Sequence, residues 1–254
     1  MSLIRLAGVG VLWTCCASAV QVRETMSYLL PAQLTLREPV ILDVTVRNDL
    51  TETIAVDFGT GGVSEFNFGI QKPDGSRTPI HLTTTRPPGE LSWFEPVGPI
   101  SIQSGTSVSR SIVLSEVADF SQIGSYEVTI RFGGSVRTLS NGSVNVLREV
   151  RHTLHVLPRN EDALRHACDE LAREAKDPDA VHRGRAVAAL ASIGDAIVIP
   201  YLLEVARSDP FASREVDARV RLGGPDARRA LEELSKSSNG WTASAAQSGL
   251  KRIK

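Results

Sequence analysis

A cysteine and two histidines in the second half of the chain are the residues best placed for covalent chemistry. Cys168 lies two positions after His166, and His182 follows in the next predicted helix. If folding brought them together, an imidazole could deprotonate the thiol and make it a nucleophile. Cys168 falls on the apolar side of its helix, however, where a buried and unreactive thiol is the commoner outcome. The sequence therefore predicts no catalytic residue, and a nucleophilic Cys168 stays open as an alternative.

The remaining histidines and a glycine-rich segment give no indication of a metal or phosphate site. His152 and His155 are three residues apart in a predicted strand, and this spacing directs the two side chains to opposite faces. The run 59–62 contains three glycines, but the lysine and the helix of a phosphate-binding loop do not follow it. The sequence thus predicts no metal and no cofactor.

Two segments are better suited to binding another protein. The loop 86–96 is stiffened by prolines and carries Trp93 and Phe94, which could present aromatic surface at a low entropic cost. Alternatively, the two rings cover the open end of the preceding β domain. The second candidate surface is a charged face on two later helices, where the potential binding residues are Arg207, Arg228, Arg229, Glu232 and Glu233. Such a face can also be an ordinary solvated helix surface.

Composition makes nucleic acid an improbable partner. The 254 residues are 42% hydrophobic and 22% charged, with a formal net charge of -1, which is the profile of an ordinary globular protein. Neither half of the chain is basic enough to bind a phosphate backbone by counterion release. We therefore expect a protein partner and no nucleic acid.

The amino terminus resembles a signal peptide. Arg5 precedes an apolar stretch, 6–13, which is too short to span a bilayer, and residues 17–19 read Ala-Ser-Ala, a small-residue cleavage pattern. We expect residues 1–19 to be removed and the protein to be exported to the periplasm or the extracellular space, without a transmembrane segment. A lipid anchor on Cys15 is the alternative. Cleavage after Ala19 would leave Cys168 as the one cysteine, unable to form an internal disulfide.

Alternating apolar residues predict an all-β domain over residues 20–158. Apolar and polar residues alternate in 40–47 and again in 126–132, as expected for strands with one buried face. The run 73–75 reads Pro-Asp-Gly and predicts a tight hairpin turn. Seven or more such short runs indicate an antiparallel β-sandwich of immunoglobulin-like type.

One segment of this domain resembles a known kind of strand. In 120–128, Gly124 precedes an inward Tyr126 and a further valine, as in the penultimate strand of many bacterial immunoglobulin-like and proteinase-inhibitor-like sandwiches. The resemblance supports the sandwich architecture. Together with the Trp93 loop, it suggests an inhibitor of an exported protease as an alternative function.

After Pro158 the apolar period changes from two to 3.6, and the sequence predicts helices over residues 159–254. Asn160 is positioned to cap the first of them. The sequence pattern of 186–195 recurs in degenerate form at 215–224 and 246–253. As a result, Ile193, Leu222 and Ile253 are 29 and 31 residues apart. Such a period is typical of an α-solenoid.

These repeats resemble HEAT-like repeats, specifically the short bacterial type also found in bilin-lyase proteins. In the second unit Arg219 stands where the pattern expects a leucine. The last unit keeps a single helix, whose polar residues suit a solvent-facing cap: Thr242, Ser244, Gln247, Ser248 and Lys251. The full prediction is a multidomain all-β plus all-α protein, in which an immunoglobulin-like antiparallel β-sandwich precedes a short α-solenoid of HEAT-like repeats.

The function that we expect from this sequence is non-catalytic. HEAT-like arrays generally serve protein association, and the resemblance implies an extracytoplasmic protein-binding or scaffold module of bacterial type. Binding would use the helical repeats, the loops of the sandwich, or both. The alternatives are an inhibitor of an exported protease and a lyase-like enzyme that uses Cys168.

Overall fold

The chain folds into β-sheets followed by helices, as the sequence predicts. The structure is a computed structural model and describes residues 25–59, 64–81, 98–140, 142–146, 148–208 and 213–253. All strands in these ranges precede residue 158, and all α-helices follow it. The change of apolar period at Pro158 therefore marks a change of secondary structure, because strands bury every second residue and helices bury one stripe.

The first part contains short strands in three sheets. Strands β1 to β11 are Met26–Leu29, Gln33–Thr35, Ile41–Arg47, Ile54–Val56, Phe66–Gln71, Arg77–His81, Ile100–Ile102, Ser107–Val113, Gly124–Phe132, Val136–Thr138 and Glu149–Leu157. The sheet orders are β1-β3-β8, β10-β4-β7 and β2-β11-β9-β5-β6. Every pair is antiparallel except β2 with β11, which run parallel. The prediction of a wholly antiparallel arrangement is wrong at this pair, because β2 and β11 are far apart in sequence and meet without a hairpin.

The sheets enclose one hydrophobic core. Its aromatic centre contains Phe58, Phe66 and Phe132, with ring centroids between 5.1 and 6.0 Å apart. Tyr126 of β9 is buried in the same core against Phe120, at a ring-centroid distance of 5.2 Å. Its hydroxyl donates to the carbonyl of Gln122 at 3.1 Å and accepts from the Gln122 amide at 3.0 Å. The inward orientation predicted for Tyr126 is confirmed.

Six helices form the second part of the described chain. Helices α1 to α6 are Glu161–Glu174, Ala180–Ser192, Ile199–Ser208, Ser213–Leu222, Gly224–Leu234 and Gly240–Arg252. Asn160 caps α1, since its side chain accepts from the Ala163 amide at 3.1 Å. Contacts place α2, α4 and α6 side by side in a first row and α1, α3 and α5 in a second row.

Helix α2 of the first row packs on the β-sheets. Val113 of β8 is buried in the same apolar cluster as α1, α2 and part of α4. Arg185 of α2 reaches Asp43 at 3.4 Å and also pairs with Glu174 of α1. Because one guanidinium bridges a strand and two helices, these contacts fix α1 and α2 against β3 and β8.

The end of the helical part differs from the predicted cap in one residue. Ser244, Gln247, Ser248 and Lys251 are exposed, but Thr242 is buried at 1% exposure. Asn239 caps α6 through the amides of Trp241 and Thr242, and this turn directs Thr242 inward and leaves Trp241 76% exposed. The solvent-facing assignment of Thr242 is therefore wrong.

Candidate functional site

The second row of helices presents a charged surface, which we call the second-row face: the exposed side chains of α1, α3 and α5. Arg207 of α3 forms an ion pair with Glu233 of α5. Lys176, just after α1, forms a second pair with Glu204 of α3 at 2.5 Å. The two pairs link all three helices across their outer surface.

The predicted charged residues fall on this face, but the structure joins only two of them to each other. Arg207 and Glu233 meet although they are 26 residues apart. Arg229 pairs instead with Asp226 of its own helix, and Arg228 donates to the carbonyl of Ile253 at 3.4 Å. Glu232 is exposed on α5. The predicted binding residues therefore share one helical layer, with one pair spanning two helices.

A cleft of about 370 Å³ lies on the second-row face between α1 and α3. Its lining residues are Asp169, Ala172, Arg173, Lys176, Tyr201 and Glu204. This cleft was not predicted from the sequence. A signal was present, since Asp169, Arg173 and Lys176 follow at i, i+4 and i+7, the spacing that places side chains on one side of a helix. Only the packing of α1 against α3 brings Tyr201 and Glu204 opposite them.

The acidic groups of the cleft are already engaged. Burial raises the pKa of Tyr201, and a hydrogen bond to Asp169 raises it further because the protonated hydroxyl is the donor. Glu204 accepts from Lys176. Arg173 lies exposed in the last turn of α1, and within the described ranges its guanidinium forms no ion pair or hydrogen bond.

The cysteine and histidine residues do not form a catalytic group in the described chain. Cys168 is fully buried, and burial raises the pKa of its thiol to about 12. His166 and His182 point to solvent, with side chains 74% and 61% exposed, and lie beside Glu170 and Asp177 respectively. The lyase-like alternative therefore gains no support from the geometry, because neither imidazole faces the thiol.

The other histidine pair behaves as the strand spacing predicts. His152 is half-buried and faces inward on β11, whereas His155 is exposed and hydrogen-bonds Ser125 at 2.9 Å. In the part of the chain that the structure describes, no group of three or more His, Cys, Asp or Glu side chains is arranged to hold a metal ion. Within the same ranges no helix is long and apolar enough to cross a membrane.

Several predicted features lie outside the described residues. Trp93, Phe94 and the rest of loop 86–96 are among them, as are Cys15 and residues 1–19. The protease-inhibitor alternative depends on that loop. Both the inhibitor and the lipid anchor therefore stay predictions.

Comparison with known proteins gives no family for this chain. No family model matches, and no curated protein matches. Among solved structures, the CARDB domain of a Pyrococcus furiosus protein, in complex with di-metal ions, is 11% identical with a TM-score of 0.25, covering 52% of this chain and 86% of that domain. The β-glucosidase of Listeria innocua is 12% identical with a TM-score of 0.25 and coverages of 53% and 16%.

A third similar structure is the alkylpurine DNA glycosylase AlkC of Pseudomonas fluorescens, bound to DNA containing an abasic site analog. It is 14% identical with a TM-score of 0.24, and the match covers 52% of this chain and 31% of the glycosylase. The match thus spans less than a third of either enzyme. At such TM-scores none of the three structures carries an argument about the fold or the activity of this protein.

Proposed function

We propose that this protein is an exported, non-catalytic module that binds another protein through the second-row face. The observation that carries the proposal is the two ion pairs Arg207–Glu233 and Lys176–Glu204, which link the neighbouring helices α1, α3 and α5 beside an open cleft between α1 and α3. Side chains held in this way lose little further freedom on binding. Arg and Tyr are also enriched where protein interfaces are most buried.

The repeat assignment supports this choice of surface. We assign the helices to HEAT-like repeats because Ile193, Leu222 and Ile253 recur at a near-constant spacing and because alternate helices lie in two rows. Stacked helix pairs of this kind build an extended surface from their second helices. Arg207 and Glu233 belong to the second helices of adjacent units.

We assign the β-sheets to the immunoglobulin-like class. The support is Tyr126, whose hydroxyl bonds to the backbone of Gln122 four residues upstream, as in the tyrosine corner of such domains. In this proposal the sheets support the helices at their β3 and β8 faces. The binding surface is on the opposite row of helices.

The test is affinity capture from the envelope fraction of the native host with the full mature chain as bait. One variant replaces Arg207, Arg229, Glu232 and Glu233 by alanine. The matched control replaces four exposed residues of the β-sheets with the same charges: Glu127, Arg131, Glu149 and Arg151. We expect the first variant to lose a specifically retained protein by about tenfold or more, since truncating a few central interface residues commonly costs over 1.4 kcal/mol.

Two results would contradict the proposal. The first is that the variant of the second-row face retains the captured protein as well as the unaltered chain does. The second is an equal loss with the β-sheet control, which would show a nonspecific dependence on charge. Mass spectrometry of the native protein tests export separately, since we expect a mature amino terminus at Val20. A lipid-modified Cys15 would establish the anchor instead, and an intact leader would exclude export by this signal.

A further inference from the structure

The cleft between α1 and α3 has a cation available for a ligand. Asp169 accepts from Tyr201, and Glu204 accepts from Lys176. Arg173 carries guanidinium donors that no described protein group uses. Lys176 has further N–H donors, because an ammonium group has three and Glu204 takes one.

This arrangement favours an anion over a cation. A cationic group would have to displace Tyr201 from Asp169 or Lys176 from Glu204, and it would be repelled by Arg173. An anionic group displaces nothing and meets guanidinium donors, which form strong charge-assisted hydrogen bonds with carboxylates. Arg173 lies in the last turn of α1, where the helix dipole opposes an anion, and solvent screens this opposing effect because the side chain is exposed.

The charge and the size of the ligand are also constrained. Asp169 and Glu204 line the same cleft as Arg173 and Lys176, so doubling the charge of the ligand doubles both the repulsion and the attraction. The cost of removing the ligand from water grows with the square of its charge, and this cost favours a single carboxylate over a doubly charged phosphate. The cleft volume of about 370 Å³ is within the range of ligand pockets, roughly 300 to 1,000 Å³. It has room for a side chain together with its flanking backbone.

We propose that this cleft binds the carboxylate of a glutamate side chain on the partner protein, with Arg173 as its main contact. The inference rests on the proposed function, because it assigns a partner residue to the second-row face. Lys176 would add a second donor while keeping its pair with Glu204. Tyr201 would supply the apolar wall for the methylene groups of the glutamate.

The test is nuclear magnetic resonance of the full mature chain, observing the Arg173 Nε–Hε group and the Tyr201 ring. The probes are the acetylated and amidated peptide Ala-Ala-Glu-Ala-Ala, the same peptide with Gln in place of Glu, and inorganic phosphate. We expect saturable shifts with the Glu peptide at millimolar concentration. We expect binding about tenfold weaker with the Gln peptide, because hydrogen bonds from a guanidinium to a charged carboxylate are stronger than those to a neutral amide.

Three variants connect binding to the named residues. Arg173→Gln should abolish the shifts of Tyr201, whereas Arg131→Gln is a control away from the cleft, since Arg131 is exposed on β9 and paired with Glu149. Asp169→Asn should tighten binding of the Glu peptide by removing a repelling charge. All three positions are exposed, so we expect the fold to be kept, and an unchanged spectrum elsewhere checks this.

The inference is overturned by equal binding of the Glu and Gln peptides, by binding that survives Arg173→Gln, or by phosphate binding more tightly than the Glu peptide. Its failure is distinct from failure of the proposed function. If capture depends on Arg207 and Glu233 while the peptides do not bind, the binding face stands and only the role of Arg173 is lost.

Discussion

One buried polar residue of the β-sheets and one of the helices differ in how far their hydrogen bonds are satisfied. Asn48, at the end of β3, is fully buried, and its amide donates to the carbonyls of Glu52 and Ile102 while its oxygen accepts from Leu50. Arg219 of α4 is equally buried, yet within the described ranges none of its three guanidinium nitrogens has a hydrogen-bond partner. Burial lowers the pKa of Arg219 to about 10, and nearby Glu215 offsets part of that effect.

The apolar core of the β-sheets also differs from the apolar clusters of the helices. The sheets enclose large rings such as Phe58, Phe66 and Phe132, which fill the wide space between packed sheets. The described helical clusters contain mostly Ala, Leu, Val and Ile, with alanines concentrated in α2, and small side chains let helix axes approach closely. The comparison indicates that the sheets specify their packing strongly, whereas the helices accommodate a charge at a position where the repeat expects leucine.

The largest change in stability is expected from removing the Asn48 side chain, whose hydrogen bonds are satisfied. Asn48→Ala should lower the free energy of unfolding by about 3 kcal/mol, because it leaves two carbonyls and one amide without their partner. Chemical unfolding of the full mature chain, followed by circular dichroism, measures this loss. Thr45→Ala, on the outer face of the same strand, is the matched control and should cost under about 1 kcal/mol. Similar losses for the two variants would remove the contrast between Asn48 and Arg219.

A gain in stability is expected from replacing Arg219, whose buried guanidinium has no hydrogen-bond partner among the described residues. The double variant Glu215→Leu with Arg219→Met should raise the free energy of unfolding by about 2 kcal/mol, because apolar side chains of similar volume often improve on two neighbouring buried charges. Arg219→Met alone should be less stable than the double variant, since it removes a cation that attracts the buried Glu215 carboxylate. The same unfolding measurement applies, and a double variant less stable than the original chain would contradict the argument.

The smallest change in stability is expected at the ion pair that joins the end of β11 to the helices. Asp195 pairs with Arg159 at 2.8 Å and caps a short 3-10 helix, Ala196–Val198, through the Ile197 amide. The hydrogen bond from Arg159 holds the pKa of Asp195 below its usual 3.8. Asp195→Asn keeps the capping oxygen and removes the charge, so it should cost about 1 kcal/mol at pH 7 after allowing for solvent screening at Arg159.

The pH dependence of that loss follows from the direction of the shift. A lowered carboxyl pKa stabilises the folded state above pH 3.8, and this contribution disappears as the pH falls through the folded-state pKa. The difference between Asp195→Asn and the original chain should therefore shrink below about pH 4. Unfolding curves at several pH values test this, with exposed Asp226→Asn as the control. A constant difference down to pH 2 would assign the effect to packing rather than to charge.

Local patterns anticipated the long elements better than the short ones. The strand at 126–132 and the hairpin at 73–75 appear as β9 and as the turn between β5 and β6, because alternation and turn chemistry are local properties. Strands β1, β2 and β7 have three or four residues and were not predicted. Their runs are too short to show a period, and their partners on β3, β11 and β4 hold them in place.

The amino-acid sequence by itself determined the order of strands and helices, the change at Pro158, the cap at Asn160 and the inward side of Cys168. These depend on backbone preferences and on periods that span only a few residues. Only the tertiary structure decided that Arg207 meets Glu233 and that Arg173, in a cleft beside Tyr201, pairs with no group of the described residues. The physical reason is that contacts between helices depend on how distant segments pack, and a charged side chain has several partners within reach until that packing is fixed.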